Sequence, residues 1–227
     1  MNFLEAKTYL FEKLAPSKIM ALASSVNDYV MVRNVSCLIY NDAIYFKTDK
    51  NFRKTKQLYK NPRVALCYSG IQVEGKAEIL GLVIDEPGRQ FEKLYQKYLW
   101  GSYNAYSHKE DEILVRVEPV FVEIWDTDEK NQAFQTFIDF EKEYMNTKKE
   151  SQYIHRYCNM FAVLRLVFFC VMIVLLLLGY YWQNIGYVLA GIFFIGFIVM
   201  VIIHNRYKKQ DLYIQSLLKT YKRHIDR

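Results

Sequence analysis

Two stretches near the C-terminus constrain this 227-residue chain most: neither Leu166–Trp182 nor Ile185–Ile203 contains a charged residue. With Phe161–Leu164 added, the first passes twenty residues, interrupted only by Arg165. At 1.5 Å per residue, each is long enough for a helix to cross a hydrocarbon core of about 30 Å. Gln183-Asn184 is the only polar break, so a tight hairpin of two transmembrane helices is expected, at about 161–182 and 185–203. The alternative is a buried helix of a soluble core, and two consecutive spans of this purity argue against it. Gly186-x-x-x-Ala190 and Gly191 could permit close contact between the two helices.

Charge orients the hairpin. The formal net charge is +6, but residues 1–150 carry 21 Lys/Arg against 22 Asp/Glu, and residues 151–227 carry nine against two. A nucleic-acid binder does not confine its excess this way, so no nucleic-acid partner is expected. The tip has no Lys or Arg, whereas Lys148, Lys149, Arg156 and Arg165 precede the spans and Arg206, Lys208 and Lys209 follow them. The positive-inside rule then puts both ends in the cytoplasm, with the bilayer as partner and a multi-pass membrane location. Tyr180, Tyr181 and Trp182 suit the opposite interface, and Arg165 can snorkel to the cytoplasmic headgroups. The tail from 204 to 227 reads as a basic amphipathic helix, interfacial or dimerising.

The remainder reads as mainly β. Met1–Leu14 has the spacing of an amphipathic helix ended near Pro16. Short strands are expected over Ile19–Ser24, Asp28–Tyr40 (one long or two broken), Ala43–Thr48, Val64–Ser69, Gln72–Leu80, Ile113–Val117 and Val120–Trp125, with a helix over Asp85–Leu99. Many short strands with few helices suggest a closed antiparallel barrel. Phe134, Phe137, Ile138, Phe140 and Tyr144 suggest a helix leading away from it. Domains of 1–147 and 148–227 are expected on this reading. The four cysteines and four histidines have no metal-like spacing, and the cysteines read as buried free thiols.

The stretch from Arg33 to Lys54 points to phosphate. Asn41-Asp42 is a turn pair joining two strands. Thr48 ends the second, and Phe52-Arg53-Lys54 opens a helix to about Tyr59. A helix N-terminus with a hydroxyl, a guanidinium and an ammonium suits a phosphate dianion. Charge alone would equally describe a solvated basic face, since Lys47, Lys50, Lys56, Lys60 and Arg63 are nearby.

Over Ile19–Trp125 the chain resembles the pyridoxamine 5′-phosphate oxidase-like, FMN-binding split-barrel superfamily, especially its general-stress-protein members. The residues carrying the likeness are Arg33, Phe46 and Thr48, then Arg53-Lys54, Asn61-Pro62-Arg63-Val64, Val73-Glu74-Gly75-Lys76-Ala77-Glu78 and Val122-Glu123-Ile124-Trp125. The resemblance implies a split β-barrel with flanking helices, here followed by the transmembrane hairpin and a C-terminal amphipathic helix. It implies FMN as cofactor and a homodimer formed through the barrel. Arg33, Thr48, Arg53 and Lys54 would hold the phosphate and ribityl chain, the backbone of Asn34 and Val35 would follow the ring edge, and Trp125 would reach the partner's flavin. By helical spacing, independent of the resemblance, Gln57 lies one turn after Arg53 and could support it, or could be simply exposed.

Two departures bear on activity. Phe52 stands where serine is usual, and Asp126–Phe134 lacks the Arg-x-His motif of true pyridoxamine-phosphate oxidases. Vitamin B6 oxidation is therefore not expected. An oxidoreductase acting on another small-molecule substrate is, with a non-catalytic module binding haem, a deazaflavin or another ligand as the alternative.

Overall fold

The computed structural model describes residues 1–106, 110–179 and 184–222. They form two compact units, Met1–Glu143 with Tyr221 and Lys222, and Tyr144–Thr220. The elements run α1 (Phe3–Leu14), β1 (Ser17–Val26), β2 (Tyr29–Tyr40), β3 (Ala43–Asp49), α2 (Arg53–Lys60), β4 (Arg63–Tyr68) and β5 (Ile71–Leu82). They continue with α3 (Gly88–Tyr98), α4 (Trp100–Tyr106), β6 (Glu112–Thr127), β7 (Ala133–Asp139), α5 (Phe140–Gly179) and α6 (Asn184–Lys222).

The strands form an antiparallel sheet in the order β3-β2-β1-β4-β5-β6-β7, and a β3–β6 pairing closes the first six into a barrel. Asn27-Asp28 and Asn41-Asp42 all have positive φ, the conformation that two-residue hairpin turns require and that Asn and Asp tolerate. The interior is filled by alternate residues such as Leu22, Phe46, Leu66, Val115 and Val122. One mouth is covered by Leu10 and Leu14 of α1, whose N-terminus is closed by a reciprocal Asn2–Glu5 capping box. A second core lies under α3, where Leu38, Tyr45 and Leu114 meet Phe91 and Tyr95.

Three local expectations are corrected. Ile113–Val117 and Val120–Trp125 are one strand, β6, which runs through Pro119 by a register shift opposite Glu74/Gly75: Gly75 pairs with Pro119, Glu74 with Phe121, and Val120 is the extra residue. Phe134, Phe137 and Ile138 are not helical but lie in β7, pairing with Asp126, Glu123 and Val122. The helix starts only at Phe140. The turn into β7 is organised by Asp128, whose carboxylate accepts from the backbone N–H groups of Lys130 and Gln132. The cysteines are all free, but Cys67 and Cys170 are exposed; only Cys37 and Cys158 are buried.

The barrel is split at one seam. Pairing between β2 and β3 runs from Tyr40↔Ala43 to Cys37↔Phe46 and stops. Beyond that point β2 follows β1 down to Tyr29, while β3 follows β6 to Asp49. The strands part as a wedge, and Asn34 and Val35 lie on the β2 side of it.

In the second unit α5 and α6 pack antiparallel. A Cβ on Gly186 would come within 2.4 Å of the Gly179 Cα, so that position has no room for a side chain, whereas one on Gly196 would meet the Phe168 ring at 2.5 Å and displace it. Ala190 is buried, whereas Gly191 has no neighbour within 4 Å. The helices are long and apolar enough to cross a membrane. None of the most apolar window of α5 and 11% of that of α6 is buried, which distinguishes them from core helices of a soluble protein. Tyr180, Tyr181, Trp182 and Gln183 lie outside the described residues. The tail is no separate element, since α6 continues unbroken to Lys222.

Candidate phosphate and cofactor site

Arg33 lies within β2, which is one long strand running on to Tyr40. It pairs with Leu22 of β1 and shares the inward alternation of Val35 and Cys37. Its guanidinium donates to Ser24 Oγ at 2.6 Å, Gln57 Oε1 at 3.0 Å and the Leu22 carbonyl at 3.3 Å. Ser24 also donates to Gln57 Oε1 at 2.7 Å, so Gln57 is buried against β1. Gln57 thus braces Arg33, not Arg53 as the helical spacing suggests. Every acceptor around Arg33 is neutral, so its charge is oriented without being compensated.

Arg53 and Lys54 come from the first turn of α2. That turn is fixed by Thr55, whose hydroxyl donates to the Asp49 carbonyl at 2.6 Å, and by Asp49, which accepts from the Asn51 N–H at 2.6 Å. The N-cap is Phe52, which makes no capping hydrogen bond, and the first turn contains no acidic residue. Its N–H groups and the positive end of the helix dipole therefore lack a side-chain acceptor.

The three cations feel one another. Burial and then the Arg53 charge push the Arg33 pKa down, while burial and then the Arg33 charge push Lys54 down. Among the described residues none of the three forms an ion pair with a carboxylate; Lys54 lies over the Phe52 ring at 5.5 Å. Thr48 alternates with Phe46 and Ile44 toward the barrel interior, and its Oγ1 is buried without a hydrogen-bond partner. A cluster of clashing positive charges beside an unused helix N-terminus suits an anion such as a phosphate.

Asn34 is exposed on the outer side of β2, and Val35 is buried within. No hydrogen bond or ring contact joins Trp125 to the cationic cluster. Trp125 sits half-exposed near the end of β6, where its indole N–H donates to Glu123 Oε1 at 2.6 Å, and Gln135 of β7 donates to the same oxygen. Behind it the Trp125 N–H donates to the Gly70 carbonyl at 2.9 Å; a Cβ on Gly70 would come within 2.0 Å of the Trp125 carbonyl oxygen, so the β4–β5 turn must have glycine there.

Ser24 was not among the expected site residues. The legible signal is a hydroxyl at an inward position of the Met20-Leu22-Ser24 alternation. Lys47, in the same basic run, belongs elsewhere: its ammonium meets Glu112 at 2.8 Å and Glu92 at 2.9 Å beneath the Tyr95 and Tyr103 rings. Burial opposes this charge, but the hydrogen bonds to Glu112 and Glu92 outweigh it and hold the Lys47 pKa up.

Comparison with known proteins agrees with the barrel. The pyridoxamine 5′-phosphate oxidase family profile matches residues 9–126, just over half of the chain. Solved structures with similarity include general stress protein 26 from Bacillus anthracis str. Sterne, 17% identical over 59% of this chain and 98% of that one, with a TM-score of 0.42. A FAD-binding protein from Mesorhizobium loti is 15% identical over 50% and 90%, with a TM-score of 0.41. The haem storage protein HutZ from Vibrio cholerae is 15% identical over 51% and 89%, also with a TM-score of 0.41. No curated protein matches the chain. With its closed six-stranded barrel, its seam between β2 and β3 and this profile match, the chain belongs to the pyridoxamine 5′-phosphate oxidase-like split-barrel family.

Proposed function

We propose that the protein is a membrane-anchored FMN-binding flavoprotein, with the barrel and both ends of the hairpin in the cytoplasm, acting as an oxidoreductase on a small molecule. The observation that carries the reading is the group of Arg33, Arg53 and Lys54, three cations lacking a carboxylate partner beside an uncapped helix. Arg33 would direct its guanidinium to the phosphate from a mount of Ser24 and Gln57, and a bound anion would offset the repulsion between Lys54 and Arg33. When bound, FMN supplies the electron and hydride transfer; the protein supplies position and electrostatics. Anchoring in the membrane by the hairpin makes a quinone-like, lipid-soluble acceptor a natural substrate class.

A homodimer through the barrel is part of this reading. Ile19, Val30, Val32, Phe137 and Trp125 are exposed on strands of the barrel sheet, an apolar surface that a second copy would cover. Trp125, held by Glu123, would then face the partner's flavin. Asp126–Phe134 carries no Arg-x-His pair, so a substrate other than a B6 vitamer is part of this reading. The second reading, a non-catalytic barrel for haem or a deazaflavin, is favoured by Phe52 in place of a hydroxyl-bearing residue.

The test is direct. Full-length protein extracted in detergent should be yellow, release FMN on denaturation and bleach with a nicotinamide reductant. An Arg53→Ala/Lys54→Ala variant should be colourless yet folded. Colourless wild-type protein that fails to take up added FMN would reject the assignment.

A further inference from the structure

We infer that the base of the helical hairpin is a binding collar for anionic phospholipid headgroups. The inference rests on the membrane reading and is independent of the flavin. From Ser151 to Gln210 the chain has no Asp or Glu, and its Lys and Arg residues are Arg156, Arg165, Arg206, Lys208 and Lys209. In sequence these fall into groups some forty residues apart. The packing of α5 on α6 brings them together: the His204 Nδ1 lies 3.2 Å from the Cys158 carbonyl, and the Tyr207 ring stacks on Tyr157 at 5.9 Å and on Phe161 at 5.2 Å. Arg156 therefore stands at the same height as Arg206, Lys208 and Lys209.

All four are exposed, and among the described residues none of the five basic groups forms an ion pair. The acids next along the chain are Glu150 and Asp211, and Asp211 is already engaged by Gln215 at 3.0 Å and His155 at 3.6 Å. Arg165 sits about 13 Å deeper than Arg156 along α5 and can snorkel toward the headgroups from below the collar. The stacked Tyr157, Tyr207 and Phe161 rings occupy the same level, where amphipathic rings favour the membrane interface. Uncompensated cations on two helices, ringed at one height around interfacial aromatics, match a layer of phosphate monoanions.

The full-length protein would be excised with its surrounding lipid, using a maleic-acid copolymer, from vesicles of phosphatidylcholine containing a minor fraction of phosphatidylglycerol. The retained lipid should be enriched in phosphatidylglycerol by about fivefold over the bulk, as expected if collar cations attract anionic lipid at about 1 kcal/mol each. In R156Q/R206Q/K208Q/K209Q the ratio should fall to that of the bulk. Because charge removal can also disturb insertion, the wild type is measured again with molar salt present during excision, which should reduce the enrichment without any substitution. An R156K/R206K variant should keep it. Bulk lipid composition around the wild type, or enrichment untouched by both salt and the Gln variant, overturns the proposal. So does loss, in the Gln variant, of co-purifying nucleic acid with lipid composition unchanged. Failure of the membrane reading itself would show separately, as extraction of the protein by alkaline carbonate.

Discussion

Two lysines of one basic run, Lys47 and Lys54, meet opposite electrostatic fates on either side of the turn after β3. Lys47 is buried between Glu92 and Glu112, and the fold neutralises it from within. Lys54 is held near Arg33 and Arg53 with no carboxylate, and the fold leaves it short of charge compensation. A protein selected for stability alone would treat both as it treats Lys47. The contrast teaches that positive charge around α2 is kept available for a partner from outside the chain, while positive charge under α3 holds the barrel together.

Substitutions can break that contrast. The largest effect should come from Arg33→Ala with Lys54→Ala: loss of charge-assisted hydrogen bonds of about 1.5–3 kcal/mol each should weaken FMN binding about a hundredfold or more, read by flavin fluorescence titration. Lys47→Met should leave FMN affinity of the folded protein nearly unchanged but destabilise the barrel by about 3 kcal/mol, since two buried carboxylates lose their partner; denaturant unfolding checks this.

Lys54→Gln sharpens the contrast from the other side. The folded protein holds the Lys54 pKa below its ordinary value, so at neutral pH the protonated ammonium opposes folding. The ligand-free variant should therefore melt higher than wild type, while losing its response to FMN. A variant that melts lower without ligand would show that Lys54 has a structural counter-charge after all.

The smallest effect concerns a third charged cluster, where Tyr9 of α1 donates to Asp126 at 2.5 Å and Lys13 pairs with it at 3.0 Å. The Tyr9 hydroxyl, the Thr127 N–H and Lys13 hold the Asp126 carboxyl at about 2, against 3.8 when unperturbed. Because the folded pKa is the lower one, the stabilisation is complete above roughly pH 4 and is lost as pH falls through about 2. Tyr9→Phe should cost about 1 kcal/mol at neutral pH and weaken this acid dependence, measurable by circular dichroism along an acid titration.

How much of this could be read beforehand follows from the range of the interactions. The hairpin was visible because its signal is local, an uninterrupted apolar run. The turns at Asn41-Asp42 and the opening of α2 were visible for the same reason. Strand β7 was misread because Phe134, Phe137 and Ile138 suit a helical face as well as a strand, and only pairing with β6 decides between them. The bracing of Arg33 by Ser24 and Gln57 joins residues up to 33 positions apart through β1–β2 pairing and the packing of α2 on β1, which no spacing rule encodes. The same holds for Lys47, where Glu92 and Glu112 arrive from α3 and β6.

The central claim is that this cationic group takes the phosphate of a flavin nucleotide. Titrating the purified, ligand-free protein with FMN and, separately, with riboflavin isolates that phosphate. FMN should bind at least about a hundredfold more tightly, with the difference abolished in the Arg33→Ala/Lys54→Ala variant. Equal affinity for the two flavins, or equal loss of both in that variant, would contradict it.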